Sequence, residues 1–307
     1  MIKTTALPES IINELPEIFS SKVFELCLKK GMWISGGFAR KIGHLCLGLD
    51  KQSPVDSVIK YFGSMHTDID FYSSNIEAVK SVCNFNNPHD SQIEYDVRSV
   101  FYKTPFASNV DLEFRKLERV NRSFGYIPIQ LVTKFLFKDV TECFDSTDIT
   151  NCKYAITKED DKYQLHFDSK ALDYDLKKEL HISHTKSPYT ISRIRKYIKD
   201  SNRGINSLSK DEETTSRFHE LLYKVVENKW PEVYNMQTAD FVLTSLKNLS
   251  AVHDLTNFEL SLFIGKLTES ICTSTKELKN NSGYGVFINY IYEERDWASN
   301  VINSRVK

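Results

Sequence analysis

Apolar side chains mark out this chain as a run of short helices and strands followed by a helical tail. Ile18, Val23, Phe24, Leu26 and Leu28 recur at helical spacing within Ile11 to Lys30, and Gly31 closes that segment. Met32, Trp33 and Ile34 then form a short apolar run of the kind a buried strand makes, ending at Ser35-Gly36-Gly37. The pattern predicts a helix over Ala39 to Leu49, a strand over Thr67 to Tyr72, and a helix over Asn75 to Val82. A polar loop, Asn84 to Asp90, follows. Val100 to Tyr102, Val110 to Phe114 and Ile127 to Val132 have strand character, Lys138 to Phe144 reads as a short helix, and Ile149 to Ile156 as another strand. Beyond Asn206 the period turns helical. Phe218, Leu221, Leu222, Val225 and Val226 share one face up to Pro231, and Thr256 with Glu259 forms a capping box ahead of Leu260, Phe263, Ile264, Leu267 and Ile271. The expected fold class is α+β, with a sheet-and-helix domain over residues 1–205 and an α-helical domain over 206–307.

Composition narrows the function classes. The chain has 307 residues, enough for one large domain or two modest ones. Its net charge of −1 supplies no global field for nucleic acid, so any such contact needs a local patch. Cys27, Cys46, Cys83, Cys143, Cys152 and Cys272 are scattered without a Cys-x-x-Cys pair. They read as reduced thiols of a cytoplasmic protein, neither a zinc set nor a disulfide framework. No signal-peptide pattern and no membrane-length apolar run is seen, so no membrane partner is expected.

The chemistry concentrates between Trp33 and Tyr72. Side chains alternate along a strand, so Asp68 and Asp70 fall on one face of the Thr67–Tyr72 strand. Two adjacent carboxylates repel, and a divalent cation is the usual remedy: Mg²⁺, or Mn²⁺, takes one or two carboxylates together with phosphate oxygens. A glycine pair at a helix start lets backbone N–H groups approach a phosphate. Gly36 and Gly37 therefore complete a site for metal-assisted phosphoryl or nucleotidyl transfer. Arg40 lies one turn further on, within reach of β- or γ-phosphate oxygens, although a plain surface arginine would read the same. Arg195, Lys199 and Arg203 follow at i, i+4 and i+8 beside an apolar face of Ile191, Ile194 and Ile198. This is either a stripe for an RNA or phosphate backbone or a solvated helix face. His66, two residues before Asp68, has no metal-ligand spacing to another histidine.

The strand–Gly-Gly–helix followed by Asp-x-Asp resembles the nucleotidyltransferase superfamily that includes DNA polymerase beta, poly(A) polymerases and CCA-adding enzymes. Gly36-Gly37-Phe38-Ala39-Arg40 is most similar to the CCA-adding branch, which follows its arginine with an aspartate where this chain has Lys41. Many members carry a serine just after the glycines; here Ser35 precedes them. The stretch between the two motifs is longer than usual, with an insertion over Asp50 to Met65. Ile129 to Val132, Phe144-Asp145, Asn151 to Ala155, Ser192 to Ile198 and Arg203-Gly204 resemble runs in nucleotidyltransferase-like proteins of large phages and DNA viruses, and the similarity spans roughly residues 30 to 205.

The resemblance implies a mixed-sheet core, an NTP substrate, Mg²⁺ on Asp68 and Asp70, and nucleotide contacts from Ser35, Gly36, Gly37 and Arg40. It also implies a third carboxylate, and the position matching it holds Gln130. Asp145 is the first candidate to take that role, ahead of Asp148 and of Asp111 with Glu113. The acceptor is an RNA 3′ end or another hydroxyl, with modification of a protein close behind. No base-selecting arginine-aspartate motif is found. Loss of the third carboxylate would leave a catalytically inactive binding or regulatory module.

Overall fold

The computed structural model describes residues 1–63, 67–85, 102–103, 107–113, 126–186 and 190–226, and within them the α+β expectation holds. The chain opens with a strand, β1 (Ile2–Ala6), that the pattern did not announce. The helix expected over Ile11 to Lys30 is three helices, α1 (Glu9–Glu14), α2 (Pro16–Phe19) and α3 (Lys22–Lys29). Pro16 has no N–H to continue α1, and the Ser21 hydroxyl accepts from the Phe24 amide to start α3 afresh. Then come β2 (Trp33–Ser35) and α4 (Gly37–Cys46). The presumed insertion contains α5 (Pro54–Phe62), capped by Ser53 with Pro54 in its first turn.

β3 (Ile69–Ser73) and α6 (Ile76–Phe85) follow, then β4 (Tyr102–Lys103), β5 (Ala107–Glu113), β6 (Tyr126–Leu136) and α7 (Val140–Ser146). The strand expected from Ile149 begins with a 3-10 turn at Thr150–Cys152 and becomes β7 only at Tyr154–Glu159. It pairs with β8 (Lys162–Asp168) across a two-residue turn whose Asp160 and Asp161 both have positive φ, as a primed hairpin turn requires. α8 (Ser169–Lys177) and the short β9 (Glu179–Leu180) complete this part.

Eight strands form one mixed sheet in the order β1-β8-β7-β2-β3-β6-β5-β4, with β3 and β6 parallel and the other pairs antiparallel. Leu165, Ile156, Ile34, Phe71 and Leu131 stand in register across it, all buried, and α3, α4 and α5 pack on that face through Phe24, Phe38, Ile42 and Val58. One step along these strands, the opposite face carries Thr4, His166, Ala155, Ser35, Asp70 and Gln130 in a single row. Alternation has sorted an apolar face from a polar one. α7 covers part of the polar face with Cys143 and Phe144 against Trp33 and Ala155.

The chain divides into two compact units: residues 1–183 with 200–209 form the first, and 184–199 with 210–307 the second. β10 (Ser207–Leu208) belongs to the first and pairs with β9. The described part of the second holds α9 (Thr190–Lys199) and α10 (Glu212–Val226), with Ile194, Tyr197, Phe218 and Leu221 buried. The helix expected near Thr256 to Ile271 lies outside the described residues. Among the described residues no helix is long and apolar enough to cross a membrane.

Candidate functional site

Ser35, Asp70 and Gln130 stand side by side on β2, β3 and β6. Asp68 sits one residue before β3 begins, and both aspartates are half-buried. Ser35 is the last residue of β2, so this row meets the turn into α4. There Gly36 adopts φ 90°, a conformation L side chains avoid, and a Cβ built on it would lie 3.9 Å from the Asp70 carboxylate. The positive φ is what calls for glycine here, and it sets the turn beside the Asp70 carboxylate. The Gly36 N–H donates to the Tyr154 carbonyl (3.2 Å), and α4 starts with no side-chain cap and no acidic residue in its first turn. Its leading amides carry the positive end of the helix.

Ser35 is buried and donates its hydroxyl proton to the same Tyr154 carbonyl at 2.9 Å. This bond makes Ser35 a strut that holds the turn to β7. Cys143 of α7 packs beside this row. Burial raises its thiol to about 11, Ser35 and Trp33 pull the other way, and the Asp70 charge adds to the rise.

The remaining acids divide by position. Asp145 is exposed while its neighbours Cys143 and Phe144 are buried, which is not how a ligand shared with the half-buried Asp70 would be held. Asp148 is buried, 2% exposed. Asp111 pairs with Pro128 in the β5–β6 ladder, two residues from the Asn109–Gln130 pair, and Glu113 pairs with Tyr126. Gln130 itself is half-buried directly opposite Asp70.

Arg40 is not at the carboxylate row. It is 5% exposed, and its guanidinium donates Nε to both Asp175 oxygens (3.1 and 3.2 Å), Nη2 to Asp175 (2.9 Å) and Nη1 to the Arg203 carbonyl (2.9 Å). Asp175 also accepts from His44 Nε2 (2.7 Å), Asn151 Nδ2 (2.7 Å) and the Tyr154 hydroxyl (2.9 Å). Burial alone would raise the Asp175 carboxyl; the Arg40 charge and the His44 hydrogen bond hold it well below the usual carboxylate range. Burial, then the Arg40 charge, lower His44 against its bond to Asp175.

Sequence reasoning missed this knot. Its one local signal is an aspartate at i+4 from Ala171 on the inward side of α8. The knot ties α4, which carries the glycines, to the 3-10 turn, β7 and α8.

The basic stripe does not form one helix. α9 ends at Lys199, and Arg203 lies in a separate 3-10 turn (Ser201–Arg203), 6% exposed and paired with Asp200 (3.2 Å). The Asp200 carboxylate accepts from Arg203 within this turn, so Arg203 is held apart from the regular helix. The side chains of Arg195 and Lys199, and residue His66, lie outside the described set.

No protein-family model matches the chain, and no curated protein does. Among solved structures, a Thermotoga maritima CCA-adding enzyme complexed with tRNA is similar at a TM-score of 0.48 and 13% identity, over 95% of this chain and 73% of that one.

Proposed function

We propose that this protein is a divalent-metal-dependent nucleotidyltransferase. Asp68 and Asp70 would hold Mg²⁺ or Mn²⁺, and the Gly36-Gly37 turn would receive the phosphates of an NTP. The observation that carries this reading is the approach of the Gly36 backbone to Asp70. A backbone that admits phosphate and a carboxylate that admits metal are brought to one point, and the metal would supply the charge neutralisation that in-line attack on the α-phosphorus needs. The two carboxylates fit a hard, oxygen-preferring cation.

Arg40 has a positioning role in this reading, through Asp175, in place of a phosphate contact. For the third carboxylate, the β5–β6 ladder makes Asp111 the alternative to the exposed Asp145. Asp111 stands two inter-strand steps from β3 and two residues along the ladder from the Asn109–Gln130 pair, roughly 12 Å from Asp70 between backbones. Asp111→Ala should then remove activity and Asp145→Ala leave it largely intact; the reverse result would restore Asp145.

The acceptor we favour is an RNA 3′ end, with a protein hydroxyl as the alternative. Incubation with each labelled NTP, Mg²⁺ or Mn²⁺ and total cell extract tests this: label in RNA supports the first, label in protein the second. A second reading, an inactive binding module, draws on Gln130, which stands directly opposite Asp70 where a carboxylate would complete the site. Glutamine carries no charge to a metal and takes no proton. Nucleotide binding with no label transferred to either class would favour that reading.

A further inference from the structure

The helix-covered side of the glycine turn holds a cavity of about 200 Å³ that contains neither Asp68 nor Asp70. Gly37, Arg40, Lys41 and His44 line it from α4, at i, i+3, i+4 and i+7, so one stripe of that helix forms the wall. Lys60 and Tyr61 of α5 face it, and Arg203 closes it with its guanidinium 5.8 Å above the Tyr61 ring. The walls are fixed. Arg40 bonds the Arg203 carbonyl, and Lys41 pairs with Asp50 at 2.6 Å.

Polarity then selects the ligand. Arginine and lysine offer donors only, and the lining has a single carboxylate, Asp50, already engaged by Lys41 and by the Ser57 hydroxyl. Lys60 is exposed and has no carboxylate partner among the described residues. Arg40, Lys41 and Arg203 already serve Asp175, Asp50 and Asp200, so the charge in excess is that of Lys60, and an acceptor-rich anion would meet Lys60 together with the donors that Lys41 keeps beyond its bond to Asp50. Burial first, then the Arg40 charge and least the Lys41 charge lower the His44 pKa, against the hydrogen bond and charge of Asp175.

We propose that this cavity is a binding site for a phosphate-class anion, distinct from the carboxylate row and gripped by Lys60, Lys41 and the α4 stripe. The chemistry is that of free phosphate or pyrophosphate, or of the phosphate tail of a larger ligand.

The test is calorimetric titration of pyrophosphate into the full chain in EDTA, so that no metal site contributes. Wild-type protein should bind. Lys60→Glu, on an exposed position that leaves the fold intact, should weaken binding at least about tenfold. Asp70→Asn should bind as wild type does. Competition separates the sources: displacement of pyrophosphate by ATP that is lost in Lys60→Glu identifies a nucleotide tail, while simultaneous binding of both identifies a separate small anion. No heat from wild-type protein at millimolar pyrophosphate, equal binding by Lys60→Glu, or loss of binding in Asp70→Asn would each overturn the proposal.

Discussion

Asp70 owes its position to a neighbour on each side: Ser35 on β2 and Gln130 on β6 set the row, and Gly36 closes over its end. Asp70→Asn should abolish nucleotidyl transfer while leaving the circular dichroism spectrum unchanged. The melting temperature should hold or rise slightly, because one of two adjacent charges is gone. Gly36→Ala separates backbone from chemistry. The φ of 90° makes any side chain strained, at about 1–2 kcal/mol. The new methyl would stand 3.9 Å from the Asp70 oxygen, in the space that the proposed function assigns to phosphate. A melting curve should register the first effect and NTP titration a larger second one. The glycines and the aspartate pair were legible in the sequence because their chemistry is local, residing in alternation and in a missing side chain. The partner of Arg40 was not legible: Asp175 lies 135 positions away, beyond the reach of any spacing rule.

Among elements, α4 carries the most constraint. Within a helix, exchanging glycine for alanine gains about 1 kcal/mol from propensity. At Gly43 the sign reverses, because a Cβ would come within 2.7 Å of the Tyr154 ring, which is fully buried, stacks on Phe167 and bonds Asp175. The ring cannot retreat, so Gly43→Ala should destabilise by about 1–3 kcal/mol in urea titration. Asp175→Ala should cost more, about 3–5 kcal/mol, since it strands the buried Arg40 charge. Periodicity located α4, α6 and α7 to within a few residues. It merged α1, α2 and α3 because the apolar stripe runs on through breaks made by Pro16 and Ser21. β8 and α8 escaped notice because their charged residues mask a pattern whose buried positions, Tyr163, Leu165, Phe167 and Ala171, are plain once the sheet is known.

For the whole molecule, pH resolves the contributions of the buried groups. Burial is the first cause of the lowered pKa of both His44 and His166. Around His44 stand Arg40 and Lys41 from α4, Asp175 from α8 and Tyr154 from β7. As pH falls through about 6.5 the unfolded chain takes up these protons first, so stability declines from there until the folded histidines titrate. Asp175 and Asp50 act lower down. Hydrogen bonds from Lys41 and Ser57 overcome desolvation to hold Asp50 at about 2, so the stability both carboxylates contribute above about pH 4 is lost below it. Urea midpoints measured between pH 8 and 3 should fall in two steps, and His44→Gln should flatten the first. The two-unit division follows from contacts, and composition could not foretell that residues 200–209 return to the first unit. That return gives the Arg40 knot a role in time. Its bonds join positions 135 and 163 residues apart, and such loops close only after the sheet has assembled. The knot then acts as a late latch, absent from the transition state for folding. Asp175→Asn should speed unfolding in denaturant jumps by roughly a hundredfold while refolding runs at nearly the original rate, so the same carboxylate that anchors the helix sets how long the folded protein lasts.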